Sequence, residues 1–289
     1  MSASELALIW KRQVFYNDRM APRSPTAVAA RARTCLAKAV PIPSAPLWNM
    51  GRAALGSKSN YDEMQTAIDY LTCKAQASMA FTADEKTFMK ELYESFSFGG
   101  SMKGFDEAAQ LANHYVNGGG AKLTINSTVY QSSVIVKDAS AAIKDYIRDL
   151  LAKKRPFQTV STADPKFIKS PFTKALLLGS GRNVGSQGYL IKTGYLLTEQ
   201  NNERLQKANN RFVLSAVTSG LAPTRLSTRW SVNDYYEFEP FARAPGMFTN
   251  IPLGSYTLKI ADGLSHYMVT QGIAKAFDYS SEWTEAWSV

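Results

Sequence analysis

The ten residues SVNDYYEFEP, 231–240, bring together three carboxylates and a phenol that could act in catalysis or hold a cation: Asp234, Tyr236, Glu237 and Glu239. The segment otherwise has the spacing of a strand, although acidic residues are poor strand formers and repel one another at short range. Strand alternation predicts that side chains 234, 236 and 238 point one way and side chains 235, 237 and 239 the other. Such crowding requires either exposure to solvent or a cationic partner.

A bulge or a strand end at this point would let Asp234 and Glu237 converge. The pair could then hold a hard cation such as Mg²⁺ or Ca²⁺, or act as a base beside a phosphate. The alternative is an edge strand whose carboxylates are only solvated. Since the chain has two histidines, His114 and His266, we expect any metal to be bound by carboxylates and water. His114 precedes a run of glycines and is interpreted as a structural residue at a helix C-terminus.

Composition bounds the class of protein. The 289 residues are 45% hydrophobic, which is enough to bury a substantial core, and the net charge of +9 favours anionic partners. The basic residues are scattered apart from KKR at 153–155, so we expect no nucleic-acid partner. No run approaches 18 apolar residues, and the first residues lack the pattern of a secretory signal. We therefore expect a protein that spans no membrane and that is made in the cytoplasm without a signal peptide.

The first half of the chain predicts helices. From Asp62 onward apolar residues fall on one helical face, and at TADE the side chains of Thr82 and Glu85 have the spacing of a capping box. Further helices are expected from about 105 to 117 and from about 138 to 154, the last with residues 143, 147, 150 and 151 on its apolar face.

The second half predicts strands. KALLLG, QGYLIKTGYLL, RFVLSAV, TRWSVNDYYEFE and SYTLKI have β-type composition and are separated by Gly, Pro and Asn. A last helix is expected over DGLSHYMVTQGIAKAF, and Trp283 and Trp287 would share one face of a helical C-terminal anchor, where their rings cap the sheet. These patterns predict an α+β fold with a helical N-terminal part and a β-rich C-terminal domain whose antiparallel sheet is partly rolled.

Two cysteines lie in the N-terminal third, Cys35 and Cys73. No CxxC motif and no nearby histidine accompanies them, so a zinc site is not expected. They could form one disulfide or remain two buried thiols, and the simpler interpretation is two buried thiols in helices.

Several pieces of the last 180 or so residues occur in an order that carries more information than any one of them. LANHYVNGGGAKLTI (111–125) is a helix that ends in His-Tyr before a glycine-rich turn, and a helix and glycine-punctuated strands follow it. DYYEF (234–238) is an acidic, aromatic strand, followed by HYMVTQGIAKAF. Over about the last 180 residues, this order resembles the colicin M family of bacteriocins, whose strand motif is Asp-x-Tyr-Asp-Phe. Glu237 stands here in place of the second aspartate.

The resemblance implies an enzyme that hydrolyses lipid II, the prenyl-pyrophosphate carrier of peptidoglycan precursors, between prenol and pyrophosphate. It implies the catalytic residues Asp234, Tyr236, Glu237, His266 and Arg243. Charge that grows on the pyrophosphate oxygens requires a cation, either Arg243 or a Mg²⁺ or Ca²⁺ held by Asp234 and Glu237. Water requires a base, for which Asp234, Glu237 or His266 would serve, with Tyr236 orienting one of them.

The same resemblance implies an antibacterial toxin that blocks cell-wall synthesis in the periplasm of a target bacterium. Its partners would be lipid II, the membrane surface, an outer-membrane receptor or a secretion apparatus, and a cognate immunity protein. Residues 1–100, with the proline-bearing segment 21–60, would serve delivery, and residues 101–289 would form the catalytic domain.

The chain departs from the family in one respect. Family members have a His-Arg pair after the acidic strand, whereas PFARAP here offers Arg243 and no histidine. His266, in the later segment IADGLSHY, is the candidate for the vacated role. The alternative is a non-enzymatic binding or membrane-perturbing protein that keeps the fold without the chemistry. A third hypothesis, a nucleic-acid-binding protein, predicts binding that weakens steeply with salt.

Overall fold

The computed structural model describes residues 34–35, 37, 39–40, 42, 58–102, 104–132, 134–155, 159–161, 165–169, 171, 191–192, 211–222, 225–242, 248–253 and 256–289. Its helices are α1 (Lys58–Gln76), α2 (Ala83–Met102), α3 (Asp106–Asn117), α4 (Thr128–Ser132), α5 (Val134–Ala152), α6 (Pro165–Ile168) and α7 (Asp262–Thr270). Its strands are β1 (Leu123–Thr124), β2 (Thr159–Ser161), β3 (Ile191–Lys192), β4 (Arg211–Ala222), β5 (Arg225–Tyr236), β6 (Phe248–Leu253), β7 (Tyr256–Ala261) and β8 (Phe277–Ser288).

Most strands belong to one sheet. Its order is β1-β8-β5-β4-β2, with β3 also paired to β4, while β6 and β7 form a separate hairpin. All pairs are antiparallel except β1 with β8. The α+β prediction is confirmed, with helices first and strands in the C-terminal part. The predicted strand KALLLG lies outside the described residues, and of QGYLIKTGYLL the structure describes only residues 191–192.

The central strand β5 has one face in the core. Leu226, Thr228, Trp230 and Val232 are buried along it at every second position, as the pleat requires. Asp234 and Tyr236 continue the same face toward the end of the strand. We refer to this side of the sheet as the inner face.

The sequence patterns of α1 and α2 are borne out. The predicted apolar face of α1 is buried at Met64, Ile68 and Leu71. The capping box is also present, since the Thr82 backbone N–H donates to Glu85 Oε2 at 2.7 Å and the Glu85 N–H donates to Thr82 Oγ1 at 3.3 Å. α2 therefore begins where the sequence predicts.

The hairpin β6–β7 rests on α1. Tyr61 stacks on Tyr256 with ring centroids 5.1 Å apart. The side-chain amide of Gln65 makes two bonds to one residue of β7: it accepts from the Lys259 backbone N–H at 2.9 Å and donates to the Lys259 carbonyl at 3.1 Å. The amide thus bonds to β7 as a neighbouring strand would.

Helix α5 is held on the sheet by charge and aromatic rings. Lys144 Nζ forms an ion pair with Glu285 Oε1 at 2.6 Å and lies 5.9 and 5.7 Å from the ring centroids of Trp230 and Trp287. Glu285 also accepts from the Trp230 indole N–H at 3.1 Å. The prediction that Leu151 lies on the buried face of this helix is wrong, because its side chain is exposed.

The end of the chain differs from the prediction. α7 stops at Thr270 rather than continuing to Phe277, which begins β8. The predicted helical C-terminal anchor is therefore wrong. Trp283 and Trp287 do share a face, because a spacing of four residues keeps side chains on the same side of a strand. Trp283 stacks on Trp230, and the Trp287 indole donates to Thr228 Oγ1 at 2.7 Å.

Cys35 and Cys73 form a disulfide with their Cα atoms 5.6 Å apart. The simpler interpretation of two buried thiols is therefore wrong. Burial itself was predicted correctly for Cys35, which is 0% exposed.

The predicted domain boundary at residue 100 falls within α2. One cluster of buried apolar side chains includes residues on both sides of it, from Met64 to Trp287. The division into a delivery region and a catalytic domain stays a prediction. Among the described residues, no helix combines the length and apolar character that a membrane crossing requires.

Candidate functional site

The acidic segment begins on the inner face of the sheet and then leaves it. β5 pairs with β8 so that Asp234 lies opposite Tyr279 and Tyr236 opposite Phe277, and β5 ends at Tyr236. Glu237 is exposed in the irregular stretch that follows. The strand end that the sequence analysis considered is therefore present, between residues 236 and 237.

The half-buried carboxylate of Asp234 is engaged inside the fold. The Tyr279 hydroxyl donates to Asp234 Oδ2 at 3.2 Å, and Tyr279 itself is buried. Burial, followed by the negative charge of Asp234, raises the pKa of Tyr279 well above its ordinary value. The pKa of Tyr130, on α4, is raised by the same two causes in the same order. The charge of Asp234 thus helps to keep both phenols protonated, and one of them, Tyr279, donates to it directly.

An aromatic cluster supports the end of β5. The Tyr236 ring stacks on Phe277 at 5.2 Å and meets Phe238 edge-on at 5.5 Å. Phe238 in turn packs against Tyr115 of α3, 5.2 Å between centroids, and Tyr93 of α2, 6.1 Å between centroids. Because rings from two helices and two strands meet here, the backbone of residues 236–238 is fixed from several sides.

Two of these phenols bond to helix α7. Tyr93 donates to Ser265 Oγ at 2.6 Å, and Tyr115 donates to the Ser265 carbonyl at 2.8 Å. Ser265 is 0% exposed, so both bonds lie in the interior. The aromatic cluster therefore sets the position of α7 as well as that of the acidic segment.

His266, the next residue of α7, contacts the acidic segment directly. Its Nδ1 lies 3.0 Å from the Phe238 carbonyl oxygen. A carbonyl can only accept, so Nδ1 carries the proton of this bond and the neutral ring presents the lone pair of Nε2. This arrangement gives a histidine a fixed tautomer and a defined basic atom.

Asp262 lies one helical turn before His266, at the first residue of α7, and was not among the predicted site residues. The Thr249 hydroxyl donates to its Oδ1 at 3.2 Å. Burial raises the pKa of the Asp262 carboxyl above its ordinary value of 3.8; the Thr249 bond lowers it and the charge of Glu239 raises it. Asp262 also raises the pKa of Tyr236, after the larger effect of burial. The spacing of an acid and a histidine four residues apart in IADGLSH could have indicated it.

A glycine lets the segment after Glu239 approach α7. The Phe241 ring lies against Gly263, so closely that a Cβ atom at that position would lie 2.3 Å from Phe241 Cγ. Residues 238–241 are thus held along α7 at two points, by the His266 bond and by the Phe241 ring.

The predicted site residues are brought together in part. Tyr236 lies near Asp262, whose charge adds to the larger effect of burial in raising the Tyr236 pKa, and His266 bonds to the Phe238 carbonyl. Asp234 and Glu237 have different neighbours, since Asp234 bonds to Tyr279 on the inner face and Glu237 lies past the strand end. Within the part of the chain that is described, no three His, Cys, Asp or Glu side chains are grouped as metal ligands. Arg243 lies outside the described residues.

His114 occupies a structural position. One ring nitrogen, Nε2, donates to the Ala121 carbonyl at 2.7 Å, and the ring meets Phe277 edge-on at 4.5 Å. A Cβ at Gly118 would lie 2.4 Å from this ring, so the glycine makes room for it.

No family model, curated protein or solved structure matches this chain. Among the described residues, the site offers a histidine whose Nδ1 is held by a carbonyl and, one helical turn earlier, a carboxyl whose pKa burial raises.

Proposed function

We propose that this protein is an antibacterial toxin that hydrolyses lipid II between prenol and pyrophosphate. Water forms a new bond to phosphorus while the bond between phosphorus and the prenol oxygen breaks, so that prenol leaves as the alcohol with one hydrogen of the water and the pyrophosphate takes the hydroxyl. The proposal combines the motif resemblance of about the last 180 residues with the geometry around α7. Its action would block cell-wall synthesis in the periplasm of the target bacterium.

The observation that carries the proposal is the hydrogen bond between His266 Nδ1 and the Phe238 carbonyl, at 3.0 Å. It joins a histidine to the acidic segment in a chain that lacks the family's His-Arg pair. Because the bond fixes the proton on Nδ1, Nε2 is available to take a proton from water. His266 is the base of the proposed reaction.

The negative pyrophosphate needs positive charge as its bond to prenol breaks. Arg243, four residues after Glu239, is the candidate side chain, and a Mg²⁺ or Ca²⁺ ion is the alternative source. Asp234 and Glu237 are the predicted ligands of such an ion. Asp234 Oδ2 already accepts a hydrogen bond from Tyr279, so an ion bound there would share the carboxylate with that phenol.

The disulfide between Cys35 and Cys73 supports the proposed compartment. Disulfides form and persist in oxidising places such as the periplasm and the cell exterior, and they are rare in the cytosol. The net charge of +9 also suits a protein that meets an anionic membrane.

The direct test is incubation of the purified, oxidised protein with lipid II, with Mg²⁺, with Ca²⁺ or with chelator, followed by chromatography of prenol and pyrophosphoryl products. His266→Gln keeps a donor for the Phe238 carbonyl but loses the basic nitrogen. We expect it to lower the cleavage rate by about 10²–10⁴-fold, the usual effect of a general base. His114→Gln is the matched control and should cleave lipid II at nearly the unchanged rate. Absence of prenol under all three conditions would exclude the proposed reaction.

The alternative is a binding or membrane-perturbing protein that keeps the fold without the chemistry. The inward bond of Asp234 to Tyr279 favours it, because that carboxylate already has a structural partner. Asp234→Ala separates the two functions, and Asp234→Asn repeats the test with a hydrogen-bond acceptor retained for Tyr279. If either variant folds and stays fully toxic, the toxicity does not depend on cleavage through Asp234.

A further inference from the structure

The chain contains two cysteines, and both are used in the disulfide between Cys35 and Cys73. We propose that this disulfide is a redox switch for the site on α7: oxidation fixes α1 and the turn after it, and reduction releases them. The inference rests on the proposed function for its activity readout, but its structural part is independent of any substrate.

The first link runs from Cys73 to the start of α2. The next residue, Lys74, is 5% exposed, and its Nζ lies 2.8 and 2.6 Å from the two carboxylate oxygens of Glu85, which is 4% exposed. Glu85 also accepts from the Thr82 backbone N–H and so closes the capping box of α2. A buried ion pair depends on close geometry to offset the cost of removing its charges from water. Movement of α1 at Cys73 therefore disturbs the first turn of α2.

The second link runs from the turn after α1 to α7. The Tyr267 hydroxyl donates to the Met79 carbonyl at 3.3 Å, and the Phe81 backbone N–H donates to Gln271 Oε1 at 2.9 Å. The rings of Phe81 and Tyr267 meet edge-on, 5.4 Å apart. Tyr267 is the immediate neighbour of His266, so the turn that follows the disulfide-bonded helix supports the helix that carries the proposed base.

The oxidation step is a thiol-disulfide exchange. One cysteine thiolate attacks the disulfide of an oxidoreductase, giving a mixed disulfide, and the second thiolate displaces that enzyme's sulfur to close the bond between Cys35 and Cys73. The two cysteines lose two protons and two electrons. The oxidoreductase gains both and is left as a dithiol.

The redox state of each compartment gives the switch a direction. Cys35 is 0% exposed and Cys73 is half-buried, so the sulfur of Cys35 is shielded while Cys73 is the side from which a reductant can approach the bond. Newly made protein in a reducing cytoplasm would hold both thiols and a loosened α7. Protein that reaches an oxidising compartment would close the bond and keep it. The producing cell would thus be spared the full activity of its own toxin.

The test compares the oxidised protein with the protein after full reduction and with Cys35→Ser/Cys73→Ser. Hydrogen exchange of the α7 backbone amides reports on the coupling, and release of prenol from lipid II reports on activity. A Phe167 variant is the control, since that buried ring packs on Tyr146 of α5. Two variants, Phe167→Leu and Phe167→Ala, are made, and the control is the one whose melting temperature is nearer that of the cysteine variant. All proteins are compared at a temperature at which each is folded.

We expect exchange of the α7 amides to rise on reduction and in the cysteine variant, and to stay slow in the Phe167 control. Prenol release should fall about tenfold, because the observed rate is the full rate multiplied by the fraction of molecules in which α7 is correctly placed. Reoxidation should restore both. Unchanged α7 exchange after reduction, or an equal rise in the control, would overturn the switch. If the oxidised protein releases no prenol while α7 exchange still follows the redox state, the proposed function fails and the switch stands.

Discussion

The contact between Gly263 and Phe241 allows a sharp test of how the acidic segment is held on α7. In Gly263→Ala the new Cβ would lie 2.3 Å from Phe241 Cγ, and ordinary contact begins at 3.4 Å, so the ring must move by about 1.1 Å. Overpacking of this kind costs about 1–3 kcal/mol. The better helix propensity of alanine returns up to about 1 kcal/mol. We therefore expect a net loss of about 1 kcal/mol, measured by urea unfolding.

Displacement of Phe241 should also change the contact between the acidic segment and His266. The segment that it anchors includes the Phe238 carbonyl, so the hydrogen bond to His266 Nδ1 should weaken, which imidazole nitrogen NMR can detect. With only two histidines in the chain, the spectrum contains few signals to assign. The double variant Gly263→Ala/Phe241→Ala should lose less stability than the sum of the two single losses, because the clash is gone.

Gly99→Ala is the matched control. Gly99 lies within α2, and a Cβ there would have no atom within 4 Å. Gly99→Ala should raise the free energy of unfolding by up to about 1 kcal/mol through helix propensity alone, and it should leave the His266 signal unchanged. If Gly263→Ala stabilises the protein as much as Gly99→Ala and leaves the His266 signal unchanged, the described approach of Phe241 to α7 is refuted.

Three further predictions concern stability. Lys74→Met should cost about 3–5 kcal/mol in denaturant unfolding, because it leaves Glu85 charged and buried, and Lys74→Met/Glu85→Leu should recover most of that loss. Cys35→Ser/Cys73→Ser should cost about 4 kcal/mol in the same assay, since the bond closes a loop with a sequence separation of 38. The folded pKa of Asp262 is raised above 3.8, so its contribution to stability is present below that pH and is lost as pH rises through the folded value. Asp262→Asn should remove this part of the pH dependence, and an unaltered pH profile of unfolding would contradict the assignment.

Local interactions made parts of the fold predictable. The apolar face of α1 and the capping box between Thr82 and Glu85 depend on residues three or four positions apart, and both occur as predicted. The strand β5 follows from alternation in the same way.

Features set by distant pairing were not predictable to the same degree. Residues four apart share a face in a helix and also in a strand, so the spacing of Trp283 and Trp287 is compatible with either element. What makes that segment a strand is its register with β5 and β1, which joins residues from separate parts of the chain. The pairing of Cys35 with Cys73 is likewise a tertiary contact.

In the candidate site, too, local relations were predictable and distant contacts were not. Alternation correctly indicated that Asp234 and Tyr236 share a face, but not that the face is the interior or that Tyr279 would bond Asp234 there. His266 was a candidate for its residue type, whereas its partner, the Phe238 carbonyl, is 28 residues away. Asp262 was missed because its raised pKa comes from burial, which only the packed structure creates.

The side-chain amide of Gln65 has a consequence for assembly. A strand from another molecule that paired with β7 at Lys259 would have to bond to the backbone N–H and C=O of that residue. Both groups are already bonded to the side chain of Gln65. Recruitment of another polypeptide by strand addition is therefore blocked at this point. A single glutamine thus helps keep one copy of the protein from templating the misassembly of the next.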